Sequence, residues 1–415
     1  MIKAFEYVRA KIEVEIQEQK EKIKVKYFNE DFEKLSDTKK AEVEEHVNDL
    51  FNYLNQELNI NNDKSRLREL SYDCIFGTDA NPRMSRTAKM NMIMHGDGHG
   101  GVHHNDGLLN VNGIFENRFD VILTNPPFGA RIEKSAKITE SDKYTDEERI
   151  KEYKRRYGKA YEDALKQIND NIGEPLLSLY KTGKMSALTE VLFIERCLNL
   201  LKPGGRMGIV LPEGVLNNSN LQKIREFVES KAKIILITSI PQDVFIASGA
   251  TVKPSLLFFK KFTEEETKQW KIITTKVKKE IEAKYAPEIK PIKAKLLLQG
   301  KEAPSATEKK ELRAELKNLE NQMEAEIKGK IKAEFDYKIP IAEVEKAGIS
   351  TTGAQIENEL EPLAQEFTEY RKKNTLWEKK FDYIEYEITE DNTFYRIPFA
   401  GNPALAQEPE IFYGK

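Results

Sequence analysis

The feature that most constrains this chain is an alternation of short apolar runs with amphipathic stretches between about residues 120 and 261. Four runs have the length and β-branched content of buried strands: 120–124, 206–211, 234–240 and 254–261. The stretch before the second run predicts a helix, capped by Ser186 and stopped by Lys202-Pro203-Gly204-Gly205. This alternation predicts an α/β fold with a parallel sheet and helices on both faces. The final strand pair can be antiparallel, as edge strands in mixed sheets often are.

The first of these strands ends in Asn125-Pro126-Pro127-Phe128-Gly129. Proline removes a donor from the strand ladder and fixes φ, so the strand must stop there. In an open α/β sheet, ligands bind at the carboxyl ends of the strands. We therefore expect the amide of Asn125, the two rigid prolines and the ring of Phe128 to belong to a ligand site.

These residue types suit the chemistry of an amino group on a nucleobase. Such an amine is conjugated with its ring, and it becomes a better nucleophile when acceptors hold both of its protons. The side-chain oxygen of Asn125 and the carbonyl of Pro126 are two such acceptors, and the prolines keep them preorganised. The ring of Phe128 offers a surface for a flipped base, worth ~1–3 kcal/mol. The alternative is a proline-terminated strand without chemistry.

Two further acids follow predicted strands. Residues 72–79 predict a strand that ends at Asp79, with Pro82 opening the next helix. An acid at such a strand tip commonly accepts hydrogen bonds from ribose hydroxyls, which makes Asp79 a candidate cofactor residue. A turn or helix-cap acid is the alternative. Asp106, at the end of the next strand-like turn, can accept from an adenine amino group.

Between these acids lies a loop rich in Gly and His, from His95 to His104, which contains four of the five histidines of the chain. No ordered ligand spacing matches a zinc template and no cysteine is nearby, so no metal site is predicted. A mobile glycine loop over the cofactor side is the preferred interpretation.

Composition restricts the class of protein. The net charge of -3, with 33% charged residues, leaves nucleic-acid contact to a local patch or a partner subunit. Cys74 and Cys197 lie in apolar runs and predict reduced core thiols of a cytoplasmic protein. No apolar run reaches membrane length, and the start of the chain does not resemble a signal peptide, so no membrane partner is expected.

Four segments are expected. They are a helical lead-in at 1–70, a catalytic core at 71–262 with a helical insertion at 130–185, a charged helical arm at 263–376 and a tail at 377–415. The arm has a narrow apolar stripe that is typical of a long helix packed on one partner. Its members are Leu312, Leu316, Leu319, Met323 and Ile327. The aromatic tail predicts short strands or loops.

The tetrad Asn125 to Phe128 resembles the catalytic motif of DNA methyltransferases that act on amino groups with S-adenosylmethionine, and Phe in the last position favours adenine N6. Over about Phe76 to Lys260 the chain resembles, more narrowly, the modification (M) subunit of type I restriction-modification systems. The matching segments, in order, are Gly77-Thr78-Asp79, Asp106-Gly107-Leu108, the tetrad, Leu201 to Arg206 and Val210 to Leu216.

This resemblance implies a Rossmann-like S-adenosylmethionine-dependent methyltransferase sheet with a C-terminal helical arm, and methylation of adenine N6 in DNA. It implies a catalytic role for Asn125, Pro126, Pro127 and Phe128. It implies that cofactor-binding residues are Asp79, Ala80, Asp106, Gly107, Leu108 and Asn125. The implied partners are DNA, a specificity subunit that supplies target recognition and docks on the arm, and a restriction subunit.

The chain departs from the family pattern at its start. The helical N-terminal domain and the first strand with its glycine-rich cofactor turn do not match any part of it. In this fold that strand lies in the middle of the sheet, so we expect a gap between the strands of Asp79 and Asn125. The chain then resembles the carboxyl-terminal portion of an M subunit, and we expect it to bind the cofactor weakly or not at all.

Two other hypotheses remain open from the residues. A planar amide amine poses the same hydrogen-bonding problem as an adenine amine, so a protein glutamine or an RNA base is an alternative substrate. A catalytically inactive scaffold that only binds the other subunits belongs to a different class.

Overall fold

The computed structural model describes residues 1–98, 101–111, 113–246, 252–298 and 304–377, and three short strands beyond them. The helices are α1 Ile2–Tyr27, α2 Glu30–Glu33, α3 Asp37–Gln56, α4 Arg66–Glu69, α5 Pro82–Met94, α6 Glu147–Tyr157, α7 Lys159–Asn169, α8 Thr189–Leu200, α9 Glu213–Asn217, α10 Gln222–Glu229, α11 Asp243–Ile246, α12 Glu264–Leu297, α13 Ala306–Glu334 and α14 Leu360–Lys373. The strands are β1 Phe76–Asp79, β2 Gly101–His104, β3 Phe119–Thr124, β4 Leu201–Pro212, β5 Ala232–Ser239, β6 Pro254–Lys261, β7 Ile341–Glu343, β8 Ala347–Ile349, β9 Gln355–Asn358, β10 Glu385–Ile388, β11 Phe394–Ile397 and β12 Glu410–Ile411.

The chain forms two compact units. Unit 1 comprises residues 1–115, 137–174 and 375–415, and unit 2 comprises residues 116–136 and 175–374. The predicted insertion at 130–185 therefore contributes to both. The boundaries at 70, 262 and 376 stay predictions.

Unit 1 begins with the two long helices that the sequence predicts. Apolar residues at helical spacing on α1, among them Phe5 and Ile16, pack on Leu50 and Leu54 of α3. A largely buried ion pair between Glu15 and Arg66 fixes α4 to α1. Strands β1 and β2 form a separate parallel pair.

The insertion supplies unit 1 with an aromatic cluster. Tyr153 of α6 and Tyr161 of α7 are buried, with ring centroids 5.4 Å apart, and Phe115 packs against Tyr161. Arg156 of α6 pairs with Asp73. The insertion is thus a packed part of unit 1 with one charged face.

Unit 2 is built on a five-stranded sheet in the order β3-β4-β6-β5-β7. Strands β3 and β4 are parallel, as are β5 and β7, whereas β6 runs antiparallel to both of its neighbours. The prediction of an antiparallel final pair is confirmed, and the prediction of an otherwise parallel sheet is wrong for β6, which also runs antiparallel to β4. The α/β fold class is confirmed.

Helices α8 and α10 cover one face of this sheet. Val191 and Leu198 of α8 and Ile224 of α10 pack on Leu211 and Phe259, all of which are buried. The helical spacing of the first two residues is what predicted the helix. The predicted cap is wrong, because α8 begins at Thr189, after Leu188, and the Ser186 hydroxyl instead accepts from the Leu188 N–H.

The prediction that β3 is a buried strand is also wrong. β3 lies at the edge of the five-stranded sheet, and the side chains of Val121 and Leu123 are 50% and 69% exposed. The apolar run is real, but a strand at an edge has one neighbour, so its apolar content alone does not ensure burial. Asp79 is the last residue of β1, and Asn125 follows β3, which belongs to a separate sheet. The expected gap between their strands stays a prediction.

The helical arm is confirmed. Helices α12 and α13 pack against each other around Val277, Ile281, Ile327 and Ile331. Lysine–glutamate pairs join the two helices, including Lys284 with Glu326 at 2.7 Å. Of the predicted stripe, only Ile327 is fully buried, and its amino-terminal members stay partly exposed.

Two smaller predictions are corrected. Cys74 is exposed, whereas Cys197 is buried as predicted. The predicted strand at 72–79 begins only at Phe76, because residues Leu70–Cys74 continue a helical turn. The tail contains three short antiparallel strands, β10 to β12, and its predicted aromatic residues Phe381 and Tyr383 lie outside the described residues.

Candidate functional site

The segment Asn125–Gly129 follows the carboxyl end of β3 directly, as predicted. The side chain of Asn125 is exposed, Pro126 is buried, Pro127 is exposed and Phe128 is partly buried. Gly129 has φ +69°, a conformation that favours glycine, and it turns the chain away from the strand. The segment therefore presents its amide to the surface while one proline anchors it.

The amino-terminal end of α8 holds the residues just after this segment. The carbonyl of Ala130 accepts from both the backbone N–H and the hydroxyl of Thr189, at 2.9 and 3.0 Å. The N–H of Ile132 donates to the carbonyl of Ala187 at 2.9 Å. Because these bonds tie the chain to a helix that packs on the sheet, the exit from the tetrad has a fixed direction.

A buried carboxylate reinforces this connection. Glu190, the second residue of α8, accepts a hydrogen bond from the Gly129 N–H at 3.3 Å. Its side chain lies in the interior, with 3% of the residue exposed. The sequence analysis missed Glu190, since one acidic residue at a helix start is common and nothing in its spacing indicates burial.

Phe128 has an aromatic neighbour that was also missed. Its ring lies 5.7 Å from that of Phe245 in α11, at 70°. An edge-to-face contact of this kind covers at most one face of the Phe128 ring. Phe245 therefore leaves at least one face of the Phe128 ring available for stacking with another planar group.

Five of the six candidate cofactor residues lie in unit 1, and the sixth, Asn125, lies in unit 2. Asp79 is the last residue of β1, and its carbonyl accepts from the N–H of Asn105, just beyond β2, at 3.2 Å. Its Oδ1 accepts from the Asn81 N–H at 2.8 Å, which is the turn contact proposed as the alternative role. Asp106 Oδ1 likewise accepts from the Leu108 N–H at 2.9 Å. Within the described part of the chain, Oδ2 of each acid makes no hydrogen bond.

The other three cofactor candidates differ in what they can offer. The carbonyl of Ala80 is hydrogen-bonded to His104 Nε2 at 3.1 Å, and the residue is exposed. Gly107 is partly exposed. The side chain of Leu108 is buried, so only its backbone is suited to contact a ligand.

The structure therefore brings the predicted residues together as two groups. Asn125, Pro126, Pro127 and Phe128 form one group in unit 2, and the acids at the ends of β1 and β2 form the other in unit 1. Unit 1 also contains a cavity of about 460 Å³. Its lining includes Tyr72, Phe76, Lys89, His103, Tyr144 and Arg149, and neither candidate acid.

The loop rich in Gly and His has a structural role at one end. His95 Nδ1 lies 2.9 Å from a carboxylate oxygen of Glu6, which links the end of α5 to α1. Across the described residues, no three His, Cys, Asp or Glu side chains are grouped to hold a metal. His99 of this loop lies outside them.

A comparison with known protein families shows which family the chain belongs to. The sequence profile of N-6 DNA Methylase matches residues 53–161 and 161–300, which together make up more than half of the chain. The chain belongs to the N-6 DNA methylase family. The matched region contains the tetrad, Asp79, Asp106 and Glu190.

Three solved structures are similar to this N-6 DNA methylase family member. The modification subunit of a putative type I restriction enzyme from Vibrio vulnificus is 23% identical, over 47% of this chain and 34% of that one, with a TM-score of 0.33. The M protein of the type I restriction enzyme EcoKI is 22% identical, over 46% and 32%, with a TM-score of 0.29. A putative class I S-adenosylmethionine-dependent methyltransferase from Listeria monocytogenes is 20% identical, over 48% of each chain, with a TM-score of 0.30.

The chain thus spans about a third of the length of the two type I subunits that it matches. Within its described residues, no helix has the length and apolar character to cross a membrane.

Proposed function

We propose that this member of the N-6 DNA methylase family transfers a methyl group to N6 of adenine in DNA, as the catalytic part of a type I modification subunit. The observation that carries the proposal is the segment Asn125–Phe128, which exposes an amide and a partly open aromatic ring at the end of β3.

In the proposed reaction, two hydrogen-bond acceptors activate the adenine amine and one aromatic ring holds the base. The Asn125 side-chain oxygen and the Pro126 carbonyl each accept one proton of the adenine amine, which concentrates the nitrogen lone pair for attack. Neither acceptor has to ionise, and the prolines limit reorganisation during the reaction. Phe128 stacks on the extruded base and offsets part of the few kcal/mol that extrusion costs.

The proposed cofactor is S-adenosylmethionine, which supplies an electrophilic methyl group when bound. The acids of unit 1 suit it, because each has one carboxylate oxygen without a hydrogen bond in the described structure. In this proposal Asp79 accepts from the ribose hydroxyls and Asp106 from the adenine amine of the cofactor. The backbones of Ala80, Gly107 and Leu108 border the same ends of β1 and β2.

The proposed partners are DNA, a specificity subunit and a restriction subunit. The net charge of -3 gives the chain no overall attraction for DNA, which supports target recognition by another subunit. The hairpin of α12 and α13 is the proposed docking element. A cytoplasmic location follows from this function and belongs to the same proposal.

The test is transfer of labelled methyl to DNA by this chain assembled with the other subunits of its system, followed by nucleoside analysis. We expect labelled N6-methyladenine from the wild type, and a loss of at least 100-fold from Asn125→Ala. Asn52→Ala, an exposed position on α3, is the matched control and should retain full activity.

Three results would argue against the proposal. Label in RNA or in protein glutamine, with none in DNA, would favour the alternative amino-group substrates. Assembly without any transfer would favour the scaffold. Full activity of Asn125→Ala would remove the tetrad from the mechanism.

A further inference from the structure

Glu190 is the buried charged group that lies next to the proposed catalytic segment. Its Oε1 accepts from the Gly129 N–H at 3.3 Å, whereas Oε2 is buried and has no hydrogen-bond partner among the described residues. A buried polar atom without a partner lowers the stability of the folded state. The dipole of α8 favours a carboxylate in its first turn, but it does not replace the missing hydrogen bond.

A second buried glutamate on the same helix shows the contrast. Glu195 accepts from the N–H groups of Lys181 and Thr182 and from the Thr182 hydroxyl, at 3.1, 2.7 and 2.8 Å. Both of its oxygens are therefore satisfied. Glu195 has the partners of a structural carboxylate, and Glu190 has one acceptor oxygen to spare beside the tetrad.

Few groups of the segment Asn125–Gly129 can donate a hydrogen bond to Glu190 Oε2. Pro126 and Pro127 have no N–H, and the Gly129 N–H already bonds to Oε1. What remains are the backbone N–H groups of Asn125 and Phe128 and the side-chain amide of Asn125. In the structure the Asn125 side chain is exposed and makes no hydrogen bond with the described residues.

Of these donors, the side-chain amide of Asn125 matters most for the chemistry, because its orientation determines which of its two ends faces the substrate. An asparagine side chain ends in an oxygen and an NH₂ group of similar shape, and only the oxygen accepts from a substrate amine. A carboxylate accepts and cannot donate, so a hydrogen bond from the Asn125 NH₂ group to Glu190 would leave the oxygen turned toward the substrate.

We propose that Glu190 is a positioning residue for Asn125. Its Oε1 anchors the turn at Gly129, and its Oε2 accepts from the Asn125 NH₂ group when a target base occupies the site, which selects the amide orientation that methyl transfer needs. The catalytic part of this inference rests on the proposed function. The hydrogen bonds of Glu190 can be tested whether or not the protein methylates DNA.

The isosteric substitution Glu190→Gln tests the second contact, and Glu195→Gln is the matched control on the same helix. We expect Glu190→Gln to lower kcat 10- to 100-fold with little change in KM for DNA or S-adenosylmethionine, because misorientation affects the reacting geometry. Glu190→Asp, which keeps an acceptor, should recover part of the rate. Glu195→Gln should leave the ratio of kcat to KM unchanged even if it lowers thermal stability.

A second measurement does not depend on catalysis. In protein labelled with ¹⁵N-asparagine and ¹⁵N-glycine and bound to target DNA, we expect the side-chain amide protons of Asn125 to exchange with solvent faster in Glu190→Gln than in wild type. In Glu190→Ala, the Gly129 N–H should exchange faster as well. Equal Asn125 exchange rates in wild type and Glu190→Gln would overturn the inference, whether or not DNA is methylated. Normal exchange effects without methyl transfer would instead count against the proposed function alone.

Discussion

At the scale of single residues, Lys261 has the clearest electrostatic strain in unit 2. It lies at the end of β6 and donates to Asn117 Oδ1 at 2.9 Å and to the Leu201 carbonyl at 2.7 Å. Both partners are neutral, so no counter-charge is hydrogen-bonded to the ammonium. Burial lowers the pKa of Lys261 to about 8, with the nearby Glu116 opposing the change and Lys231 adding to it.

This lowered pKa predicts a pH-dependent stability. In the unfolded chain Lys261 titrates near 10.5, so between pH 8 and pH 10.5 the unfolded state binds the extra proton and stability rises with pH. Below pH 8 the cost of burying the charge is fully present. Replacing Lys261 by Met removes this cost, so the variant should gain most relative to wild type near pH 7. The advantage should shrink as the pH rises to 10.5, by clearly less than the roughly 3 kcal/mol of the full pKa difference, because solvent screens a partly exposed ammonium.

The measurement is urea unfolding of both proteins at several pH values between 7 and 10.5. Lys278→Met, at an exposed position of α12, provides the control and should show a constant difference from wild type. A Lys261→Met difference that does not vary with pH would show that the lysine is solvated.

The two cysteines show what sequence can and cannot predict for one residue. Apolar neighbours predicted that both are buried, but only Cys197 is. Burial raises the pKa of the Cys197 thiol to about 12. Residues at strand ends were easier to predict. The turn after Asp79 and the prolines after Asn125 mark where the two strands end. Glu190 could not be found, since its burial depends on how α8 packs beside a segment 61 residues away in sequence.

At the scale of elements, the position of β3 at the sheet edge makes a specific prediction. Leu123 is 69% exposed on β3, whereas Leu211, in the neighbouring β4, is fully buried. Leu211→Ala should cost 2–5 kcal/mol of unfolding free energy, as is usual for buried leucine. Leu123→Ala should cost less than about 1 kcal/mol, because little packing is lost.

Both variants are compared by urea unfolding followed through Trp270 fluorescence, in a Trp377→Phe background that leaves one tryptophan in the chain. Equal losses for the two leucines would mean that β3 is covered in solution and that its edge position is incorrect.

The elements themselves were largely predictable. Helix α8, strand β6 and the long arm follow from local periodicity, and β6 has the predicted bounds Pro254–Lys261. The order of strands and the burial of each one were not predictable in the same way. β3 and β5 are both apolar runs, yet only β5 has neighbours on both sides. That difference comes from pairing between distant segments, which local composition does not encode.

At the scale of the whole molecule, the hairpin of α12 and α13 determines how docking can be tested. Removing residues 307–335 would remove Ile327 and Ile331 from the core of unit 2, and also the contact of Lys328 with Glu226 at 2.8 Å. Loss of a partner after such a deletion would therefore not separate docking from unfolding. The amino-terminal half of α13 is better suited, because its stripe stays partly exposed.

We predict that Leu316→Glu reduces co-purification of this chain with the specificity subunit of its system at least 10-fold. Leu316 belongs to an apolar stripe that α12 covers only in part, and partly exposed apolar residues that become buried on binding dominate many interfaces. Leu363→Glu, at a comparably exposed position on α14, is the matched control and should leave the complex intact. Circular dichroism should show the same helix content for both variants. An undiminished complex with Leu316→Glu would place the docking surface elsewhere, while a loss with both variants would indicate damage to unit 2 and not to a specific interface.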